Sequence, residues 1–357
     1  MTINVMLVTG DALILGCDSI ASRGTYYIDP FELGLQADEA GATIVDGDGN
    51  YSVKFKFDQI EHIVTDAWGG VTKMFCLCED SCHVAAVTSG AAALNGRTIS
   101  SLASEFREQR RRATRLRTVK VRTATGTSTP PPPARTVEGV AKEFLTFMRA
   151  EYEEHYKDSP LPANLRDGPE FLIGGYGGSD KFPSSYRVRI KENDVRTDFA
   201  NGEGGLSWNA QSDTVERIIR GYDRKLRSEI EDSFNAAIQG YQNEMNQAVL
   251  RILDDVLTKL NAKMPEGVDT ALPSKVTFTP PWDRLKIGIP YSALPLQEAV
   301  NFVSYLIMMQ AGKSRFAPGV ATVGGRTHVG VITKDQGYRQ LNEPELSHHY
   351  TGFSDDR

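Results

Sequence analysis

Apolar residues open the chain in two short runs. Ile3, Val5, Leu7 and Val8 come first; after Gly10-Asp11 follow Ala12, Leu13, Ile14, Leu15 and Cys17. Runs this short, bounded by Gly, Asp and Ser, predict strands within residues 1–24, the first two folded back at the Gly-Asp turn. Residues 71–88 read the same way. Residues 91–112 change period, with Ile99, Leu102 and Phe106 at helical spacing, and a second helix is predicted over 137–156, burying Val140, Phe144, Phe147 and Tyr152. Residues 170–176 and 185–190 predict two strands joined by a Gly/Ser/Pro turn. Residues 211–263 are polar and helix-rich, 284–289 predict a strand, and 295–312 an amphipathic helix opened by Pro295. Val329 to Thr333 predicts the closing strand. Strands and helices in such groups indicate an α+β chain.

Composition narrows the class. The 357 residues are 40% hydrophobic and 24% charged, enough for one large core. A net charge of −6 gives no general attraction to nucleic acid or anionic membrane. No basic segment followed by an apolar core marks a secretory signal. The apolar stretch at 299–309 is interrupted by Asn301 and Ser304 and too short to span a bilayer. Four cysteines in so long a chain suggest a reducing compartment, and the cytoplasm is expected.

The candidate chemistry begins at Thr2. Removal of Met1, which the small side chain at position 2 favours, frees a threonine whose hydroxyl and α-amine are nucleophile and base on one residue. The hairpin returns Asp18 to the start of the first strand. Lys73 stands just before an apolar run, and Ser89-Gly90 follows another.

Thr2, the block Asp18-Ser19-Ile20-Ala21-Ser22-Arg23-Gly24, Thr72-Lys73-Met74 and the Ser89-Gly90 turn together resemble the proteasome β-subunit family of N-terminal-nucleophile hydrolases. The resemblance implies a four-layer αββα sandwich of antiparallel sheets. It also implies a threonine-type hydrolase cleaving peptide bonds of peptides or unfolded proteins without a cofactor, and a homo-oligomer such as a ring. Thr2, Asp18 and Lys73 would be catalytic, with Ser89 and Gly90 forming the oxyanion hole. The family's aspartate-serine pair ahead of a late Gly-Gly is replaced here by Val320 and Val323 before Gly324-Gly325, leaving Thr322 as the hydroxyl on offer. Ser207 is a second auxiliary candidate. The lost pair motivates a competing reading, a catalytically silent assembly subunit or peptide-binding scaffold; a small-molecule amidase is a third.

One domain over 1–335 is expected, with insertions at about 25–70, 113–136 and 225–275 and a polar tail over 336–357. The first insertion reads as a hairpin lid beside the site or an elaborated surface. The arginine-rich run from Arg107 to Arg122 and Pro130 to Pro133 read as a solvated helix end and a tether, since no aromatic residues interleave the arginines. Cys76, Cys78 and Cys82 lack a completing histidine and read as structural cysteines, not metal ligands.

Overall fold

The computed structural model describes residues 2–28, 34–35, 43–45, 53–54, 60–120, 135–263 and 280–341. Strands β1 (Ile3–Val8) and β2 (Ala12–Cys17) form the predicted hairpin. Thr9 holds its turn: its backbone N–H donates to Ala12 O at 2.9 Å, and its Oγ1 accepts from Ala12 N at 3.0 Å. Next come β3 (Ala21–Ile28), the short β4 (Gly34–Leu35) and β5 (Val53–Lys54), and β6 (Ile60–Trp68). β7 (Met74–Cys78) and β8 (His83–Ser89) follow. The helix predicted from residue 91 starts only at α1 (Ile99–Lys120), because β9 (Ala93–Leu94) and β10 (Arg97–Thr98) precede it. Asn95 and Gly96 turn that ribbon with φ of 51° and 71°, a conformation these two residue types tolerate best.

α2 (Val137–His155) begins at Thr136, whose Oγ1 accepts from Gly139 N at 3.1 Å. β11 (Glu170–Tyr176) and β12 (Ser184–Arg189) are continued by β13 (Asp194–Phe199) and β14 (Gly205–Ala210). Helices α3 (Asp213–Arg220), α4 (Arg224–Lys259) and α5 (Leu296–Phe316) come next, then β15 (His328–Thr333) and β16 (Gly337–Gln340). The strand predicted at 284–289 does not form; Trp282–Leu285 is a 3-10 turn. Pro280, Pro281 and Pro290 bracket this stretch and lack the N–H groups a strand ladder needs.

Two antiparallel five-stranded sheets carry the core, in the orders β14-β1-β2-β15-β16 and β13-β12-β11-β8-β7. β1 and β2 are buried on both faces, which explains why their sequence reads as unbroken apolar runs. Met6, Leu13 and Leu15 share one cluster with Met74, Val87 and Leu172. Phe106, Phe144 and Phe171 belong to a second, in which α1 and α2 cover β7, β8, β11 and β12. Gly16 lets α5 lie close on β2, since a Cβ there would run into Val303 and Ile307.

The expected four-layer αββα sandwich is corrected here. Among the described residues the strands divide into five antiparallel sheets, two of five strands and three of two, with five α-helices. Among the described residues β3 and β6 pair only with each other, and so do β4 with β5 and β9 with β10, so the described ladders do not join into two continuous layers. The architecture is α+β with several antiparallel sheets.

The chain divides into two compact units, residues 1–212 with 290–357, and residues 213–289. The second unit holds α3, α4 and the 3-10 turn. Asp223 caps α4 by accepting from Leu226 N at 2.8 Å, and the Trp282 ring packs at a tilt against Tyr222 while its Nε1 donates to Glu231 Oε1 at 2.7 Å. No residue of α4 is buried. Pro130 to Pro133 and residues 342–357 lie outside the described residues, as do parts of the expected insertions at 25–70 and 225–275.

Candidate active site

The β1–β2 register sets the first half of the site. Asn4 faces Cys17, so the next step outward puts Asp18 against Thr2 and Ile3, with Asp18 N donating to Ile3 O at 3.4 Å. Thr2 Oγ1 donates to Asp18 Oδ1, and the same oxygen accepts from Ile3 N at 3.1 Å. Oδ2 accepts from Ile20 N at 3.2 Å and Gly324 N at 3.1 Å. Three backbone amides and two side chains thus satisfy a carboxylate that is 1% exposed.

The second half comes from the other large sheet. Lys73 precedes β7 and is held at the ladder's end by Thr88 N, which donates to Lys73 O at 2.9 Å. The segment before it is tied to the first half, because Val71 N donates to Ser19 O at 2.9 Å. Lys73 Nζ donates to Thr2 Oγ1, and to Asp18 Oδ1 at 2.6 Å. Lys73 is 5% exposed. Burial lowers the Lys73 pKa below the usual lysine range, and the Asp18 carboxylate opposes that shift. Thr2 Oγ1 therefore lies between a carboxylate that takes its proton in a hydrogen bond and an ammonium that polarises its lone pair.

A cavity of about 640 Å³ opens beside this group. Residues 20–23, Trp68, 71–73 and 88–93 contribute to its walls, so Thr2, Lys73, Ser89 and Gly90 share one space. Gly90 has φ +83°, and a Cβ there would collide with Gly168 O, which reserves the turn for glycine. The wall supplied by Ala21, Ser22, Arg23 and Trp68 is the base of the β3–β6 ribbon, and of these four only Trp68 falls within the insertion expected at about 25–70.

The two auxiliary candidates separate. Thr322 Oγ1 donates to Gln211 Oε1 at 2.8 Å, and Gln211 N donates to Thr2 O at 2.9 Å, so Thr322 supports the backbone of Thr2 through one residue. Ser207 is buried opposite Met6, about 13 Å along the strand from the Thr2 position, and does not line the cavity.

Sequence reading gave no role to Ser19, Gln211, Gly324 or His328. Ser19 Oγ accepts from Arg326 N at 2.8 Å, and Ser19 N donates to Gly324 O at 3.1 Å, fastening residues 324–326 to Asp18. Its place in the Asp-Ser pair was the available signal. His328 pairs with Cys17 across β15 and β2, is 1% exposed, and neither ring nitrogen has a partner among the described residues. Burial pushes its pKa down, and Asp18 acts the other way. The Cys17 thiol is pushed up to about 12, chiefly by burial, so it stays protonated. Cys78 and Cys82 form a disulfide, leaving Cys17 and Cys76 as free thiols.

No family model matches the chain, and no curated protein matches it. Among solved structures it is similar to an Anbu (Gly-1) mutant from Hyphomicrobium sp. strain MC1. That match has 8% identity and a TM-score of 0.42, covering 97% of this chain and 89% of the other. A second similar structure is Anbu (ancestral beta-subunit) from Yersinia bercovieri, at 8% identity and TM-score 0.40, covering 96% and 88%. Likeness at this level carries no argument. The resemblance to the proteasome β-subunit family is accordingly corrected: the spacing of a few polar positions is matched by no family model and by no curated protein. No described helix is long and apolar enough to cross a membrane.

Proposed function

We propose that this chain is a threonine-type amide hydrolase that becomes active when the Met1–Thr2 bond is cut. The observation that carries the reading is the Thr2 hydroxyl held between Asp18 and Lys73 at the edge of a cavity it shares with Ser89 and Gly90. Thr2 Oγ1 attacks the substrate carbonyl carbon while its freed α-amine takes the hydroxyl proton. Lys73 stabilises charge on Oγ1, and Asp18 fixes Lys73 and the Thr2 backbone. Amides at Ser89-Gly90 hold the tetrahedral oxyanion. Collapse breaks the C–N bond, the amine proton passes to the leaving nitrogen, and water hydrolyses the resulting threonyl ester.

Ile20, Val71, Ala91, Ala92 and Ile99 make the cavity largely apolar, with Arg23 as its exposed cation besides the catalytic lysine. Peptides carrying an apolar side chain next to the scissile carbonyl fit that lining better than acidic or short polar ones.

The test is intact-mass analysis of the purified protein with and without a peptide epoxyketone, which captures a free N-terminal threonine. Loss of Met1 and one adduct, absent in Thr2→Ala, is expected. Retained Met1 with no adduct overturns the reading.

A further inference from the structure

The 36-residue α4 is about 54 Å long and buries no residue, although much of it is apolar. An isolated helix without a covered face gains little in water, and helices in proteins are stabilised by packing one stripe. Such a stripe exists. Tyr241, Met245, Val249, Ile252, Val256 and Leu260 recur at steps of four, four, three, four and four. All six are exposed, Tyr241 and Ile252 at 65% and Leu260 at 69%. Steps averaging slightly more than 3.6 keep the stripe on one side of a nearly straight helix.

The spacing reads the same in both directions, which decides what can cover it. In an antiparallel pair with a two-fold axis between residues 250 and 251, Tyr241 is level with Leu260 of the second copy, Met245 with Val256, and Val249 with Ile252. Every stripe position then meets another stripe position, as an isologous interface requires. Charge agrees. In this pairing Lys259 of one helix lies two residues, about 3 Å, in height from Glu244 of the other; in a parallel in-register pair they stay about 22 Å apart. Lys259 is already held towards the flank by Asp255, at 2.7 Å.

We propose that the C-terminal half of α4 is a self-association surface, occupied by the same stretch of a second copy running antiparallel. The interface is independent of the Thr2 chemistry and uses none of its residues.

Two measurements on the full chain test this. In sedimentation velocity the unaltered protein self-associates, and Met245→Glu with Val256→Glu weakens that association at least about tenfold, because the new carboxylates of one copy face those of the other on both sides of the axis. Circular dichroism checks that helix content is kept. Unchanged association overturns the proposal. Orientation is read with single-cysteine variants Met245→Cys and Val256→Cys and a short bismaleimide, the unaltered chain giving the background. A cross-link that appears only when the two variants are mixed is expected. Homodimeric cross-links in each variant alone indicate a parallel pair, and no cross-link in any sample indicates a different occupant, such as another segment of this chain; either result overturns it.

Discussion

The Thr2 corner and α4 solve opposite problems. At the corner, charges are taken out of water: Asp18 and Lys73 are both almost wholly buried, and each is matched by the other and by Thr2. In α4, apolar side chains are left in water, and no residue of the helix is buried. The corner is complete within one chain, since every acceptor position of Asp18 is used by groups from four separate segments. Among the described residues nothing buries a face of the helix, and its pattern is complementary to that of a second, antiparallel copy. The difference teaches where substitutions are expected to act: the proposed chemistry and stability at the first region, the proposed association at the second.

The largest effect is expected from Thr2→Ala. Turnover of an apolar peptide amide should fall by roughly 10³-fold or more, while the circular dichroism spectrum stays unchanged. Activity persisting in that variant would break the assignment of the corner as a catalytic group.

Next comes Lys73→Met. It leaves the Asp18 carboxylate buried without its cation, which costs roughly 3–5 kcal/mol of stability, read as a lower urea midpoint at constant slope. Adding Asp18→Asn should recover part of that loss, because no buried charge is then left unmatched. A double variant as unstable as the sum of the singles would show that the pair does not act as one unit.

A smaller, pH-dependent effect belongs to His328, which faces Cys17 and feels the charges of Asp18, Lys73 and Arg326. Its folded pKa is depressed below the ordinary value of 6.5, so between the two values the unfolded chain binds the extra proton. The stability linked to this group is therefore present above about 6.5 and lost as pH falls. Replacing His328 by Phe should flatten the drop in melting temperature between neutral and mildly acid pH; an unchanged slope would assign the drop to other groups.

The smallest change should follow Gln247→Ala, on an exposed turn of α4 outside the apolar stripe. Stability and association should both stay within about 0.5 kcal/mol of the unaltered chain. A large loss there would mean that the stripe is not what the helix presents to its partner.

Local pattern by itself determined the hairpin of β1 and β2, α2, β11 and β12, and the relation of Thr2 to Asp18. These rest on contacts between neighbours in sequence: a two-residue turn fixes strand register, and register fixes which side chains are opposed. The start of α1, by contrast, was displaced by the Asn95-Gly96 turn, and a strand expected after residue 284 was prevented by flanking prolines. Only the tertiary structure decided that Lys73 reaches Thr2 from the other large sheet, that residues 324–326 fasten Asp18, and that Thr322 supports Thr2 through Gln211 while Ser207 lies elsewhere. It also decided how the strands group into several antiparallel sheets. Contacts spanning 55 to 306 residues depend on the packing of whole sheets, and no periodicity along the chain encodes that.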